Sequence, residues 1–252
     1  MLTIGRGGRE HALAWRLAKS PSVEKSFVAP GNPGTAADAI NVPIPEDDVA
    51  EILRFCKREK IDLAVIGPEA PLVAGLADAL RAAGVAVFGP SKDAAELEGS
   101  KIFCKRFLRK ANIPTAEFHV FTEMEQVENY LDNRPGPCVV KADGLAAGKG
   151  AIVCDTERHA HAAAVRMLVD KEFGKAGEQI LIEERLEGPE VSILALTDGK
   201  SILTLEACQD FKRALDGDKG PNTGGMGAIC PNPRVDAALV AKIEKEALLP
   251  TV

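Results

Sequence analysis

The sequence predicts an α/β protein whose first hundred residues form a parallel sheet covered by helices. Apolar runs of strand length alternate there with helical patterns, and the runs are continuously apolar, as in strands buried on both faces. Each run ends in a turn rich in glycine or proline. Because ligands bind beyond the carboxyl ends of such strands, these turns are expected to line a single crevice.

The elements of this first region follow in a regular order. Strands are predicted at 2–4, 26–30, 61–68 and 85–90, and helices at 9–19, 46–59 and 72–84. The second helix begins with Glu46, Asp47 and Asp48, which the helix dipole favours at that end. The turns that end the strands read GRGGREH, PGNPGTA, IGPEAPL and FGPS.

A second region begins near Ser100. A hairpin is predicted to turn at Asp198-Gly199, a strong turn signal, and a glycine-rich loop over 217–233 follows it. The predicted elements, in chain order, are a helix over 93–110, strands around 117–121, 137–142 and 151–154, a helix over 156–169, a strand at 179–184, the hairpin strands 190–197 and 201–207, and a helix from about 235.

Composition and charge argue against a nucleic-acid-binding, membrane or secreted protein. Basic residues number 31 and acidic residues 37, so the net charge of −6 provides no overall field for nucleic acid or an anionic membrane. The six cysteines include no C-x-x-C pair, which predicts buried free thiols in a reducing compartment. Since no apolar run reaches the roughly 20 residues of a membrane helix, and the first residues do not resemble a signal peptide, we expect a cytoplasmic protein.

Residues 143–150 form a glycine-rich loop between two predicted strands, with Lys141 on the incoming strand. This is not a Walker A motif, because three residues rather than four separate Gly144 from Gly148 and glycine follows the lysine. The turn after the first strand is not a dinucleotide fingerprint either, because Glu10 occupies the place of its third glycine. Such a hairpin can close over a triphosphate with its backbone N–H groups and lysine; an exposed turn is the alternative.

A second block of candidate residues follows the strand at 179–184. Backbone groups of Glu184 to Leu186 can hydrogen-bond an adenine edge, and Glu190 can accept hydrogen bonds from ribose hydroxyls. Ordinary surface acids would explain any one of these residues, but the two blocks together favour a nucleotide site.

The sequence resembles the ATP-grasp ligases, and within them the phosphoribosylamine–glycine ligase (glycinamide ribonucleotide synthetase) family. The resemblance covers essentially the whole chain. The motifs that carry it are GGREHALAW, APGNPGTA, GPEAPLVAG, LEGSK, KADGLAAGKG, IEERLEGPEVS and GPNTGGMGA.

The resemblance implies the architecture and the reaction. Residues 1–100 would form a Rossmann-like pre-ATP-grasp domain, and 101–252 an incomplete ATP-grasp domain with a small lid subdomain at about 115–187. ATP would phosphorylate glycine, and the amine of 5-phosphoribosylamine would displace phosphate. Family members continue beyond residue 252, where the ligands of Mg²⁺ or Mn²⁺ lie, so no metal ligand is assigned here and the chain alone is expected to be inactive. Neither nucleic acid nor membrane is implied as a partner, and the oligomeric state is open.

The resemblance also assigns candidate residues to each ligand. Catalytic roles fall to Lys141, Lys212 and Arg213. The ATP-binding residues would be Lys101, Lys141, Asp143, Gly144, Gly148, Lys149, Gly150, Glu183, Glu184, Arg185, Leu186 and Glu190. Substrate-binding residues would be Gly7, Gly8, Arg9, Glu10, Gly31, Asn32, Gly34, Thr35, Pro68, Glu69, Asp210, Asn222, Thr223, Gly224, Gly225 and Met226.

Several of these residues have plainer interpretations. Lys101 can be a lysine on a solvated helix face, residues 222–226 an irregular connection, and His11 a helix-start side chain facing the core. Phe211 departs from the family pattern, which usually has histidine there, and phenylalanine can neither donate a hydrogen bond nor titrate. Two other functions stay open: another ATP-grasp ligase, such as a formate-using or carboxylating purine enzyme, and a non-catalytic nucleotide-binding module.

Overall fold

The computed structural model describes residues 1–146, 149–217 and 219–252, with the side chains of 221 and 222 outside the description. Contacts divide the chain into two compact units, Met1–Ser100 and Lys101–Val252. Each unit has its own sheet and its own core, and each is described separately.

The first unit is built on a five-stranded parallel sheet, which confirms the predicted fold class. The order β3-β2-β1-β4-β5 places the first strand at the centre, with Leu2 opposite Phe27 on one side and Ala64 on the other. Only β3 has no counterpart in the sequence prediction. The strands are β1 Leu2–Gly5, β2 Phe27–Pro30, β3 Ile40–Asn41, β4 Leu63–Ile66 and β5 Ala86–Phe88.

The helices of this unit follow the strands, and one prediction about them was wrong. The helix expected over 72–84 is two helices that meet at Gly75, whose φ of 95° lies in the left-handed region and ends the first of them. A short 3₁₀ turn spans Thr35–Ala37. The α-helices are α1 Gly8–Ala18, α2 Val49–Glu59, α3 Glu69–Ala74, α4 Leu76–Ala82 and α5 Lys92–Gly99.

The core of the first unit lies between the sheet and its helices. Helix α2 is capped by Asp48, whose carboxylate accepts a hydrogen bond from the backbone N–H of Glu51, and its Ile52 is fully buried. The core residues are Leu2, Ile4, Phe27, Ala29, Ile44, Ile52, Phe55, Cys56, Ile61, Ala64, Ile66, Leu76, Ala77 and Leu80.

Burial of Cys56 makes the stability of this unit depend on pH. Desolvation raises the pKa of the Cys56 thiol from 9.0 to about 11. The folded state therefore binds the thiol proton more tightly than the unfolded state does. The contribution of this proton to the free energy of unfolding is fully present below pH 9 and is lost as the pH rises to about 11. We expect the free energy of unfolding, measured by urea denaturation, to fall more steeply over this interval than in Cys56→Ala; equal slopes would contradict the assignment.

The second unit contains a four-stranded antiparallel sheet in the order β6-β9-β7-β8. Its four strands confirm the predicted ones, whereas the helix α7 on its covered face was missed, although its Val127 and Leu131 have helical spacing. Strands and covering helices are β6 Phe118–Phe121, α7 Met124–Asn133, β7 Cys138–Ala142, β8 Ala151–Cys154, α8 Glu157–Leu168 and β9 Ile180–Glu184.

Strand alternation separates the two faces of this sheet. Val140, Ile180 and Ile182 lie in the core beneath α7 and α8. Since side chains alternate along a strand, Lys141 and Glu183 lie on the opposite face. The helix predicted over 93–110 is interrupted by extended backbone at Ser100, so that α6 begins afresh at Lys101 and runs over Lys101–Lys110.

The last third of the chain contains two further hairpins. The predicted one is confirmed, with β10 Ala195–Thr197 paired to β11 Ile202–Thr204. The predicted loop over 217–233 is wrong, because β12 Gln209–Leu215 pairs with β13 Lys219–Ile229. A helix α9 over Ala237–Ile243 continues as a π-helical turn, Glu244–Leu248, and a final turn α10, Leu249–Thr251. Among the described residues, no helix has the length and apolar character needed to cross a membrane.

Candidate functional site

A buried carboxylate lies between two lysines on the face of the second unit's sheet that points away from α7 and α8. Glu183, near the end of β9, is only 5% exposed. Its Oε2 lies 2.7 Å from Lys141 Nζ and its Oε1 lies 3.3 Å from Lys105 Nζ. Lys105 also donates hydrogen bonds to Thr115 Oγ1 at 2.7 Å and to the carbonyl of Ala116 at 3.1 Å.

The two lysines differ in their exposure to solvent. Lys105 is buried and saturated by protein oxygens, whereas the side chain of Lys141 keeps 27% of its surface. Two positive charges face one negative charge, so the group as a whole favours an anion beside Lys141. Lys105 was missed by sequence reasoning; its position four residues after Lys101, on the same face of α6, was the available signal.

The loop after β7 is held at its incoming end by the first turn of α6. Asp143 Oδ1 accepts a hydrogen bond from the backbone N–H of Ile102 at 3.0 Å. Lys101 Nζ donates to the carbonyl of Gly144 at 2.7 Å, which brings both predicted lysines to this strand and loop. Gly144 has a φ of 91°, a conformation that suits glycine.

The outgoing end of the same loop is also tied to the sheet. The carbonyl of Gly150 accepts a hydrogen bond from Ala142 N at 2.8 Å, and Lys149 N donates to Ala146 O at 2.9 Å. Of the predicted lid residues, Ala147 and Gly148 lie outside the described residues.

The segment predicted to bind adenine, Glu184 to Leu186, begins at the last residue of β9. Glu184 donates its backbone N–H to Glu117 O at 3.0 Å, and its Oε1 lies 3.1 Å from Glu117 N. That backbone donor is therefore engaged within the sheet and is not available to an adenine edge. Arg185 pairs with the carboxylate of Asp155, and Leu186 is exposed.

The β12–β13 hairpin carries the remaining predicted residues of this unit. Lys212 Nζ lies 3.1 Å from Glu190 and 3.5 Å from Asp210, and the pKa of Lys212 is raised, chiefly by its hydrogen bond to Glu190. Arg213 donates to Gly220 O at 2.6 Å, and Thr223 Oγ1 donates to Lys212 O at 2.9 Å.

Other residues on this hairpin are open to solvent. Phe211 and Met226 are both exposed, and the N–H of Gly225 donates to Thr223 Oγ1 at 3.1 Å. The side chain of Asn222, another predicted substrate residue, lies outside the description. The structure brings Lys212, Asp210 and Glu190 together, a grouping that sequence spacing alone did not indicate.

In the first unit, the carboxyl ends of β1 and β4 enclose the carboxylate of Glu10. Glu10 is 4% exposed and accepts hydrogen bonds from Gly7 N and Arg9 Nε, both at 2.7 Å. The bond to Gly7 satisfies a donor at the start of α1. Arg9, held on its other side 3.7 Å from Glu69, projects its guanidinium over this edge of the sheet.

Three glycines make room for that carboxylate. A Cβ atom built at Gly5 would lie 2.4 Å from Glu10 Cγ, one at Gly7 would lie 2.8 Å from Oε2, and one at Gly67 would lie 2.2 Å from Oε1. The glycines of these turns are therefore needed to accommodate Glu10 itself, whatever ligand lies beyond.

The turn after β2 is organised by Asn32. Its Oδ1 accepts hydrogen bonds from Gly34 N at 2.7 Å and Thr35 N at 3.0 Å, and its Nδ2 donates to Arg6 O at 2.9 Å. Gly31, with a φ of 73°, precedes it. His11 is half-buried and lies 2.9 Å from Asp38 Oδ2, so it is not a core side chain.

A cleft of about 350 Å³ lies at the same edge of the first unit. It brings together Arg9, Glu69 and Leu72 from the turns that were expected to line one crevice, and it adds Ala95 and Glu98, which were not predicted. Asn32 and Thr35 are not among its lining residues, which are Arg9, Gly67, Glu69, Leu72, Pro90, Ala95 and Glu98.

Models of two protein domains match the chain from end to end. The model described as phosphoribosylglycinamide synthetase, N domain, matches residues 1–98. The model described as phosphoribosylglycinamide synthetase, ATP-grasp (A) domain, matches residues 99–252.

Individual proteins show the same similarity. The chain is 54% identical to phosphoribosylamine–glycine ligase of Rhodopirellula baltica and 50% identical to that of Neisseria meningitidis, in each case over the whole of this chain. A crystal structure of phosphoribosylamine–glycine ligase from Thermotoga maritima is 33% identical, with a TM-score of 0.83 over 99% of this chain. The chain spans about three-fifths of the length of each of these relatives, 59% of the first, 60% of the second and 59% of the third.

Proposed function

This chain belongs to the phosphoribosylglycinamide synthetase family, and we propose that it serves to join glycine to 5-phosphoribosylamine at the expense of ATP. The products are glycinamide ribonucleotide, ADP and phosphate. The observation that carries this proposal is the pair of lysines, Lys101 and Lys141, that meet the glycine-rich loop beside a buried acid. We propose two domains, 1–100 and 101–252, with a lid subdomain at about 115–187; the division of contacts at Ser100 supports the boundary between them.

The chemistry explains why such a site needs positive charge more than a nucleophile. A carboxylate is converted by ATP into an acyl phosphate, whose phosphate leaves when the amine attacks. During transfer, charge spreads over the oxygens of the phosphoryl group, so the protein acts by positioning and by electrostatic stabilisation. Lys141 is suited to this, since Glu183 holds its Nζ while its side chain as a whole retains exposed surface.

The residues present fit the triphosphate of ATP. We place the phosphates beside Lys101 and Lys141, which supply positive charge, and against the glycine-rich loop that begins at Asp143. We place the adenine against Arg185 and Leu186, and the ribose against Glu190, whose carboxylate is shared with Lys212. A divalent cation, Mg²⁺ or Mn²⁺, would accompany the nucleotide; the described residues do not bring three His, Cys, Asp or Glu side chains together to bind it.

We place 5-phosphoribosylamine at the cleft of the first unit. Its phosphate would be met by Arg9 and by the first N–H groups of α1, an eleven-residue helix. Glycine is placed near the β12–β13 hairpin, where Lys212, Arg213 and the backbone of 223–226 offer cations and donors. We also propose a cytoplasmic location, in keeping with six cysteines that form no disulfide bond with one another.

Replacing Lys141 by glutamine tests the nucleotide site. Loss of a charge-assisted hydrogen bond to phosphate is expected to weaken ATP binding roughly ten- to a hundredfold, as measured by titration calorimetry on the 252-residue chain. Lys175→Gln, which removes an exposed charge in the same unit, should leave the affinity unchanged. Unfolding curves of both variants separate a weaker site from a weaker fold, and failure of the unmodified chain to bind ATP would contradict the proposal.

Because this chain alone is expected to be inactive, the identity of the acceptor is tested by ADP release from a fusion of this chain with the part of the Rhodopirellula baltica ligase that it does not cover. Glycine together with 5-phosphoribosylamine is expected to stimulate it, whereas formate and bicarbonate are not. Stimulation by either of the latter would assign the chain to another ATP-grasp reaction.

A further inference from the structure

Four of the six cysteines form two pairs across neighbouring strands. Cys138 and Cys154 lie directly opposite each other in β7 and β8. In the β12–β13 hairpin, Gln209 lies opposite Ile229. Cys208 precedes Gln209 and Cys230 follows Ile229, so the two cysteines face each other just beyond the paired strands. Free cysteines paired in this way are candidates for reaction with each other.

The thiols of the second pair lie beside the same carbonyl oxygen. Cys208 Sγ lies 3.3 Å and Cys230 Sγ 4.0 Å from the same atom, the carbonyl oxygen of Glu206, so the two side chains point the same way. The pKa of the Cys230 thiol lies above its ordinary value, chiefly because of a hydrogen bond with Cys208. Residues facing each other in an antiparallel ladder have Cα atoms about 4.5 to 5.5 Å apart, within the range that a disulfide spans.

The two pairs differ in their access to solvent. Cys138 and Cys154 are buried in the core of the sheet, with exposed fractions of 8% and 0%. Cys230 is exposed and Cys208 is partly exposed. Because oxidants reach exposed thiols first, the two pairs are expected to respond differently to the same reagent.

We propose that Cys208 and Cys230 form a redox-active dithiol, a modification site at which a low-molecular-weight disulfide closes an intramolecular disulfide bond. One cysteine, as its thiolate, attacks a sulfur of the reagent, forms a mixed disulfide and releases one small thiol. The second cysteine then attacks the protein sulfur of that mixed disulfide and releases the other small thiol. The protein loses two hydrogen atoms and the reagent is reduced to two thiols, so electrons and atoms balance.

The position of this bond gives it a structural consequence. It joins the residue before β12 to the residue after β13 and so closes the base of the hairpin that carries Lys212 and Arg213. An exposed disulfide of this kind is readily reduced again, which makes the modification reversible.

The test is to incubate the folded, reduced chain with glutathione disulfide and count its thiols after denaturation. Two of the six thiols are expected to disappear and to return with dithiothreitol. Peptide mapping without reduction should link the peptides that contain Cys208 and Cys230. Cys208→Ser and Cys230→Ser should each lose the internal link and accumulate a glutathione adduct on the remaining cysteine.

The buried pair provides the control. Cys138→Ala with Cys154→Ala should still lose two thiols, and if that variant fails to fold, the peptide map of the unmodified chain decides between the pairs. Retention of all six thiols, a link between Cys138 and Cys154, or a disulfide between two chains in place of the internal bond would each overturn the proposal.

Discussion

Glu183→Gln is expected to lower the free energy of unfolding of the unit Lys101–Val252 by about 3 kcal/mol. The substitution keeps the shape of the side chain but removes its charge, which leaves Lys105 and Lys141 facing each other without a compensating anion. Lys105 is the main source of the cost, because it is buried and unable to turn towards water. Urea denaturation followed by circular dichroism measures the change.

Two further variants separate charge from packing. Glu187→Gln, on an exposed residue just after the same strand, should change the free energy by less than about 0.5 kcal/mol. Replacing Lys105, Lys141 and Glu183 together by apolar residues of similar size should recover much of the lost stability, while abolishing ATP binding. If Glu183→Gln alone proved as stable as the unmodified chain, the carboxylate would not be compensating the charges of Lys105 and Lys141.

Gly5→Ala is expected to destabilise the unit Met1–Ser100 by about 3 kcal/mol. Two effects add at this position. The φ of Gly5 is +124°, which side chains rarely adopt, and the new Cβ would lie 2.4 Å from Glu10 Cγ. The buried carboxylate cannot move aside without losing its hydrogen bonds to Gly7 and Arg9. Thermal and urea unfolding report the loss.

The chain offers a matched control for each effect. Gly84 also has a positive φ, of +83°, but its Cβ would meet nothing within 4 Å, so Gly84→Ala measures backbone strain alone. At Gly67 no positive φ is involved and the Cβ would lie 2.2 Å from Glu10 Oε1, so Gly67→Ala measures the clash. A loss in Gly5→Ala no larger than that in Gly84→Ala would show that Glu10 moves freely.

Most of the first unit could be predicted from its sequence, because apolar runs and helical periods are local signals. The parallel pairing of β1, β2 and β4 followed from continuously apolar strands that only a covered sheet accommodates. The breaks at Gly75 and Ser100 could not be predicted from periodicity, since apolar residues continue at helical spacing on both sides of each break.

The β12–β13 hairpin could not be recognised in the same way. Strand β13 is rich in glycine, so it has few side chains to alternate between two faces, and the pairing shifts register between Phe211 and Leu215. In the candidate site, Lys141 and Glu183 were identified as separate ligands of ATP. That they bind each other, with Lys105 beneath them, depends on strand register and on the placement of α6, which no local pattern specifies.

The enclosure of Glu10 also limits how this chain can diverge. Positions 5, 7 and 67 are far apart in the sequence, yet each lacks a side chain because the same carboxylate fills the space in front of it. A mutation that lengthens any of them is accommodated once position 10 has shortened, and shortening position 10 first removes one of the two carboxylates that hold Arg9. A series of single substitutions that changes these positions therefore passes through a protein of lower stability.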